Sequence, residues 1–508
     1  MSLDGLPLIF ICVLAGFLSY FGEHGVPAYV MIIDRDEDQL ASLVSVERYS
    51  RDISMEFGME KCAVLTIEGG KRVKREGMEL PSGEVMKEVD ENGYKYLRVL
   101  QTEEVMDKEM KRRVRDEYLR RVRLLAKSNL NAGNLVQGIN ACAVGVVRYS
   151  AGILEWTKAE LNEMDVRTRK VLTMNGGFHR QGSVLRLYMK RKEGGRGLIS
   201  VEECVRLEEK GLCEYVKASK EWMLKEVVQM DGVLKEQEES RDDYRERKER
   251  ERKEGLDEKV FHGKFFRDTK EVADARSWQW VSGGYMAVST ERYIFAAQEQ
   301  ALGTRWARNT RYKEDVDPMC RVCGKYLETV NHLASGCGEL AKKMYVTRHD
   351  RMGRRVHWEL CKKYGIECAG RWYEHVPNSV TTDKDNQVVI YWDTTIETAG
   401  KVPNNRPDVV VVDKRKGKWT LVDFSVPMDM NVVKKEDEKV EKYLQLAQEI
   451  RKMYKVNTEI IPIVIGALGT VPKRLGVGTD IVNNSDNVGE VAKFHRGPPY
   501  HVSHLLVG

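Results

Sequence analysis

Arg406-Pro407-Asp408, Asp423 and the run Lys439-Val440-Glu441-Lys442-Tyr443 combine residue types that could act on a phosphodiester. Two carboxylates facing one site suit a hard divalent cation such as Mg²⁺, and such a cation activates water. A lysine beside the metal would stabilise the charge that develops on the phosphate. Asp408 and Asp423 are the candidate Mg²⁺ ligands, with Glu359 and Asp393 as weaker candidates for a further one. Lys439, Lys442 and Tyr443 supply the candidate cation and its buttress.

The elements that must position these residues are legible around them. Val409 to Val412 and Trp419 to Val422 are short β-branched and aromatic runs that read as buried strands. Lys414 to Lys418 between them is polar and holds Gly417, as a hairpin connection should. Pairing the two strands would bring Asp408 near Asp423. The segment 433–454 carries Val440, Leu444, Ala447, Ile450 and Tyr454 at helical spacing, and Lys439 and Tyr443 are four apart on one side. Ile460 to Leu468 reads as a further buried strand, with Pro462 favouring an edge position. A single Asp at a strand edge is ordinarily a turn residue, so the reading rests on the combination.

Strand, strand, helix, strand with this acid spacing resembles the restriction-like PD-(D/E)xK nuclease core. The usual motif has a lysine two residues after the second acid; here that position is Ser425. The helix offers Lys435, Lys439 and Lys442 instead. That relocation resembles the endonuclease of non-LTR retrotransposons, in which a Lys and a Tyr four residues later follow the second Asp. The resemblance implies Lys439 as the catalytic lysine, with Lys442 next.

Cys320, Cys323, His332 and Cys337 form an independent CCHC set. Thiolates and imidazole at such spacing close a tetrahedral zinc site, with Gly324 and Gly336 easing the turns. Four protein ligands leave no open position, so the expected zinc is structural. The remaining cysteines (Cys12, Cys62, Cys142, Cys204, Cys213, Cys361 and Cys368) are scattered and read as core thiols, with Cys361 and Cys368 a weaker metal possibility. Cysteine used this way points to a reducing compartment.

A zinc knuckle preceding a relocated-lysine nuclease resembles the C-terminal half of a LINE-like non-LTR retrotransposon polyprotein. Upstream, Phe57 to Leu65 and Gly93 to Leu100 resemble palm segments of its reverse transcriptase, with Arg98 where the family usually has Gly. Leu119 to Leu125 and Arg148 to Lys158 resemble its thumb and connector, and Gly194 to Val201 the segment beyond. Arg348-His349-Asp350 and Val356 to Tyr364 resemble the helical entry to the nuclease. The resemblance spans 37–475. It implies a multidomain α+β chain: a palm remnant at 37–102, a helical thumb and connector at 103–234, and a charged linker or helix at 235–259. An aromatic-rich helical linker at 260–318, the knuckle at 319–338 and an α/β nuclease core at 339–475 complete it. Residues 1–36 read as a divergent start and 476–508 as a loose tail.

Polymerase chemistry needs aspartates on a Tyr/Phe-x-Asp-Asp hairpin. The chain has no such motif; Ile32 to Asp38 is only an acidic turn. The expectation is therefore a polymerase-inactive chain that nicks DNA with Mg²⁺ and binds DNA, and element RNA as well, through its knuckle. The alternatives are a non-catalytic nucleic-acid-binding remnant or a secreted or membrane-tethered protein.

With 508 residues the chain suggests several units, and its net charge of +5 leaves the distribution of charge to matter more than the total. The basic helix at 108–127 and Lys190 to Arg196 are candidate phosphate-tracking surfaces. The mixed-sign run at 235–259 marks a domain boundary. Localisation is expected to be nuclear or cytoplasmic. The alternative is the apolar run 6–21 acting as a signal or anchor, although it is short for a span and lacks a basic start.

Overall fold

The computed structural model describes residues 9–14, 29–33, most of 62–225 and 239–476, together with Ser45, Arg48 and Asp52. The acidic turn at 34–38, the run 57–61 and the tail beyond Gly476 lie outside the described residues. The architecture is mixed α+β, and the chain separates into two compact units: 1–118 with 146–160, and 119–145 with 161–508.

In the first unit, β1 (Ile9–Leu14), β2 (Tyr29–Ile33), β3 (Cys62–Glu68) and β4 (Lys71–Arg72) form one antiparallel sheet in the order β2-β1-β3-β4. This corrects the alternative reading of 6–21 as a signal or anchor. Its centre is a strand bonded on both edges, Cys12 opposing Met31 on one side and Val64 on the other. No helix among the described residues is long and apolar enough to cross a membrane. Two hairpins follow, β5 (Met78–Glu79) with β6 (Val85–Met86) and β7 (Tyr94–Tyr96) with β8 (Val99–Gln101). Arg98 turns the second with φ of 67°, the left-handed region that glycine enters without a Cβ penalty.

Helix α1 (Asp107–Ala126) buries Val114, Tyr118, Leu119 and Val122, the stripe its periodicity predicts. Its basic face is partly self-neutralised. Lys111 is buried against Asp107 and Glu160, and Glu109 holds both Arg112 and Arg113.

In the second unit, helices α2 (Lys158–Met174), α3 (Val201–Ala218), α4 (Arg241–Asp257) and α5 (Val288–Gln298) dominate the first half. α4 is the mixed-charge run. It buries only Tyr244 and Leu256, and Arg247 bridges Glu239 and Glu251. Of the aromatics of 261–312, Phe265, Trp280 and Phe295 are buried, whereas Tyr285 is exposed. Fully buried Arg186 lies 4.2 Å from the Phe295 ring and 4.8 Å from Phe266, over which Trp278 stacks. The expected basic surface at Lys190 to Arg196 is also not free. Arg191 and Arg196 both clamp Glu291, which is wholly buried, and Lys190 pairs with Glu249. Burying a carboxylate demands this cationic compensation.

The C-terminal half is a five-stranded sheet in the order β13-β12-β11-β10-β9: β9 (Val380–Thr382), β10 (Val388–Trp392), β11 (Val409–Asp413), β12 (Lys418–Ser425) and β13 (Asn457–Val464). All pairs are antiparallel except β12 with β13, which are parallel and joined through helix α7 (Val432–Tyr454). β13 is an edge, so Pro462 needs no ladder partner on its open side. Alternation along β11 covers both faces. Val409 and Val411 pack against Met352, Val356 and Leu360 of helix α6 (Val346–Lys363), whereas Val410 and Val412 pack against Leu446, Ala447 and Ile450 of α7. A Cβ on Gly353 would stand 2.5 Å from the Trp392 ring, so α6 can approach β10 only with glycine there.

Candidate metal-dependent cleft and zinc knuckle

β11 and β12 fix the two acids. Val409 pairs with Val422, so the register places Asp408 opposite Asp423, one step beyond the ladder. Asp423 shares the parity of Leu421, whose side chain faces α7, and it is therefore delivered to that helix. There Lys439 Nζ forms an ion pair with its Oδ2, and Tyr443 donates a 2.6 Å hydrogen bond to its Oδ1. Lys442 Nζ stands farther off, 3.7 Å from Oδ1, over the Tyr443 ring. Asp423 is 2% exposed, so its charge depends on these partners. The Tyr443 hydroxyl also lies 3.1 Å from the Arg406 carbonyl. Burial and the adjacent Asp423 push its pKa far up, which keeps it a neutral donor.

α7 buries Tyr443, Leu446, Ala447 and Ile450. Of the expected stripe Val440, Leu444, Ala447, Ile450 and Tyr454, Ala447 and Ile450 are buried. Leu444 is exposed, and Tyr454 stacks at the surface on Trp419.

Asp408 is held from the other side of the sheet. Its Oδ2 accepts a hydrogen bond from the Phe424 backbone N–H at 2.6 Å and lies 3.1 Å from His349 Nε2 of α6. Burial would raise the Asp408 carboxyl, but the His349 and Phe424 contacts and the Lys439 charge outweigh it and lower the pKa. Reciprocally, the Asp408 hydrogen bond, opposed by burial and helped by Asp350, raises His349 to about 9. His349 was expected only as part of the helical entry to the nuclease. Its role as the Asp408 partner comes from the fold, because 59 residues separate the two.

Some of these groups border an open cleft of about 720 Å³, whereas Asp423 and Tyr443 are buried and are not among its lining residues. Asp408, Lys439, His349, Arg348, Arg354 and Ser425 all line it, with Ser425 at the position where the usual motif has lysine. Of the weaker ligand candidates, Asp393 lines the cleft but its carboxylate is gripped by Arg406 through two 2.8 Å bonds. Glu359 pairs with Arg355 and is not among the lining residues. Two carboxylates opposed across the strand pair are hard oxygen donors of the kind a divalent ion takes, and each has a cationic partner in place, His349 on Asp408 and Lys439 on Asp423. Mg²⁺ keeps several waters and takes few protein ligands.

The second site is local. The donor atoms of Cys320, Cys323, His332 and Cys337 all lie within 4.8 Å of one another, and the four could hold a metal ion such as zinc. Cys323 Sγ and His332 Nε2 are 3.3 Å apart. The backbone N–H of Lys325, together with His332, lowers the Cys323 thiol to about 6, whereas burial raises Cys320. Gly324 takes φ of 65° to turn the Cys320 to Cys323 loop. Tyr345 braces the far end: its hydroxyl lies 3.0 Å from the Leu333 carbonyl and accepts the Cys337 N–H at 3.2 Å. Wholly buried Glu328 pins the loop by accepting from the Arg321 backbone and guanidinium.

Compared with known proteins, the chain matches no family model and no curated sequence.

Proposed function

We propose that the C-terminal half is a Mg²⁺-dependent nuclease that nicks DNA, with a structural zinc knuckle beside it in sequence. In this reading the chain derives from a LINE-like retrotransposon and has lost polymerase activity, and 339–475 is its restriction-like endonuclease. The observation that carries the proposal is the opposition of Asp408 and Asp423 on neighbouring strands, with Lys439 bound to Asp423 at the cleft.

A divalent cation at Asp408 and Asp423 would supply Lewis-acid chemistry for water and phosphate. The protein's own groups do the rest. Lys439 is positioned to balance charge on the scissile phosphate, and Tyr443 fixes the orientation of Asp423. Arg348 and Arg354 line the cleft as backbone-phosphate contacts, which position nucleic acid without reading its sequence. The knuckle adds a further surface for DNA or element RNA.

A second reading has its own observation. His349 and Lys439 already neutralise the two carboxylates, as they would in a binding remnant that no longer takes up metal. Relaxation of supercoiled plasmid in Mg²⁺ by zinc-loaded protein separates the two. Nicking abolished by Asp408→Ala and by Asp423→Ala supports the nuclease. Folded protein that binds DNA and never nicks it supports the remnant.

A further inference from the structure

A second group of soft ligands lies inside the nuclease core, apart from the knuckle and from the cleft carboxylates. His357 and Cys361 are four residues apart on α6 and so share one of its faces. His375 comes from the connection before β9. All three side chains are buried, with Cys361 at 0% and His357 at 1% exposure. His357 Nδ1 is 2.8 Å from His375 Nε2, and Cys361 Sγ is 3.5 Å from the same Nδ1. The three donor atoms lie within 4.8 Å of one another.

Three polar groups are confined together in an apolar core, and the nitrogen by which His357 meets the other two donors is Nδ1. Tetrahedral zinc with bonds of roughly 2.0–2.3 Å sets its donors about 3.3–3.8 Å apart. A small spreading of the histidine pair reaches that spacing.

We propose that His357, Cys361 and His375 form a second transition-metal site, selective for a borderline-soft divalent ion such as zinc. Two imidazole nitrogens and a thiolate favour that class over Mg²⁺. The half-buried Cys368, packed against the same core, is the nearest further thiol for the fourth position. The site would clamp α6 to the 372–377 connection. α6 carries His349, Val376 and Pro377 line the cleft, and the His357 ring abuts Trp392, another lining residue. The metal would thus fix the cleft wall without joining the chemistry.

Metal content of the purified full chain, measured by plasma mass spectrometry, tests this. Wild type should hold about two equivalents of zinc, while Cys361→Ser and His375→Gln should each hold about one. Cys323→Ser, which disables the knuckle, should also retain about one. A single equivalent in wild type, or full content retained by Cys361→Ser, overturns the proposal. Should Cys361→Ser fail to fold, cobalt-loaded Cys323→Ser decides. A tetrahedral d–d spectrum with thiolate charge transfer supports the second site, and its absence refutes it.

Discussion

The knuckle and the cleft are assembled in opposite ways. The knuckle draws every candidate ligand from Cys320 to Cys337 and sets sulfur against nitrogen at 3.3 Å. The cleft draws Asp408 and Asp423 from two strands, Lys439 and Tyr443 from α7, and His349 from α6. Each of its carboxylates already has a cationic partner. A locally closed thiolate set needs metal to fold, whereas a cleft whose charges are paired within the protein can fold first and take metal later.

That difference predicts the largest effect. Stripping zinc with a chelator, or replacing Cys320 by Ser, should unfold the knuckle, because structural zinc contributes on the order of 10–16 kcal/mol in small zinc modules. Protease cutting within 319–338 should rise sharply on zinc removal and stay unchanged on magnesium removal. Equal protection with and without zinc would break the contrast.

Next, Lys439→Ala is expected to lower nicking roughly 10²–10³-fold, the range for losing one electrostatic stabiliser. The thermal midpoint should fall as well, since Asp423 is then buried without its closest cation. Tyr443→Phe acts only through Asp423 and should cost about 10–100-fold, as outer partners of metal ligands do. If Tyr443→Phe proved as damaging as Lys439→Ala, the hydroxyl would be doing more than orienting the carboxylate.

The smallest effect is one of pH on magnesium-free protein. His349 has a raised pKa, so the stability it gains from Asp408 is full below about 6.5. That stability is lost as pH rises through about 9. The lowered pKa of Asp408 places the acid limit of the same contact below the ordinary carboxylate range. Thermal midpoints should therefore decline between about pH 6.5 and 9, and His349→Gln should flatten that decline. An unchanged slope in the variant would exclude the pair as its source.

Legibility in the sequence follows the same divide. The knuckle, the hairpin that opposes Asp408 to Asp423, and the placing of Lys439 and Tyr443 on one helix depend on contacts close in the chain. Their spacing therefore carries them. His349 against Asp408, and Glu291 between Arg191 and Arg196, are long-range pairings that spacing does not encode. The basic run at 190–196 illustrates the cost of that blindness: its arginines look like a phosphate surface until the fold delivers Glu291. On α7, Ala447 and Ile450 are buried as their spacing indicates, whereas Leu444 is exposed and Tyr443 is buried against Asp423. The apolar run 6–21 left a signal or anchor open as an alternative, because hydropathy does not distinguish an apolar helix from the central strand that Ile9–Leu14 forms.

The central claim is that Asp408 and Asp423 hold a catalytic magnesium ion in the cleft. Conversion of supercoiled plasmid to open circle in Mg²⁺, comparing wild type with Asp408→Ala and Asp423→Ala at equal zinc content, tests it most directly. The expected result is nicking by wild type and a loss of at least about 10²-fold in each variant. Undiminished nicking by both variants would contradict it.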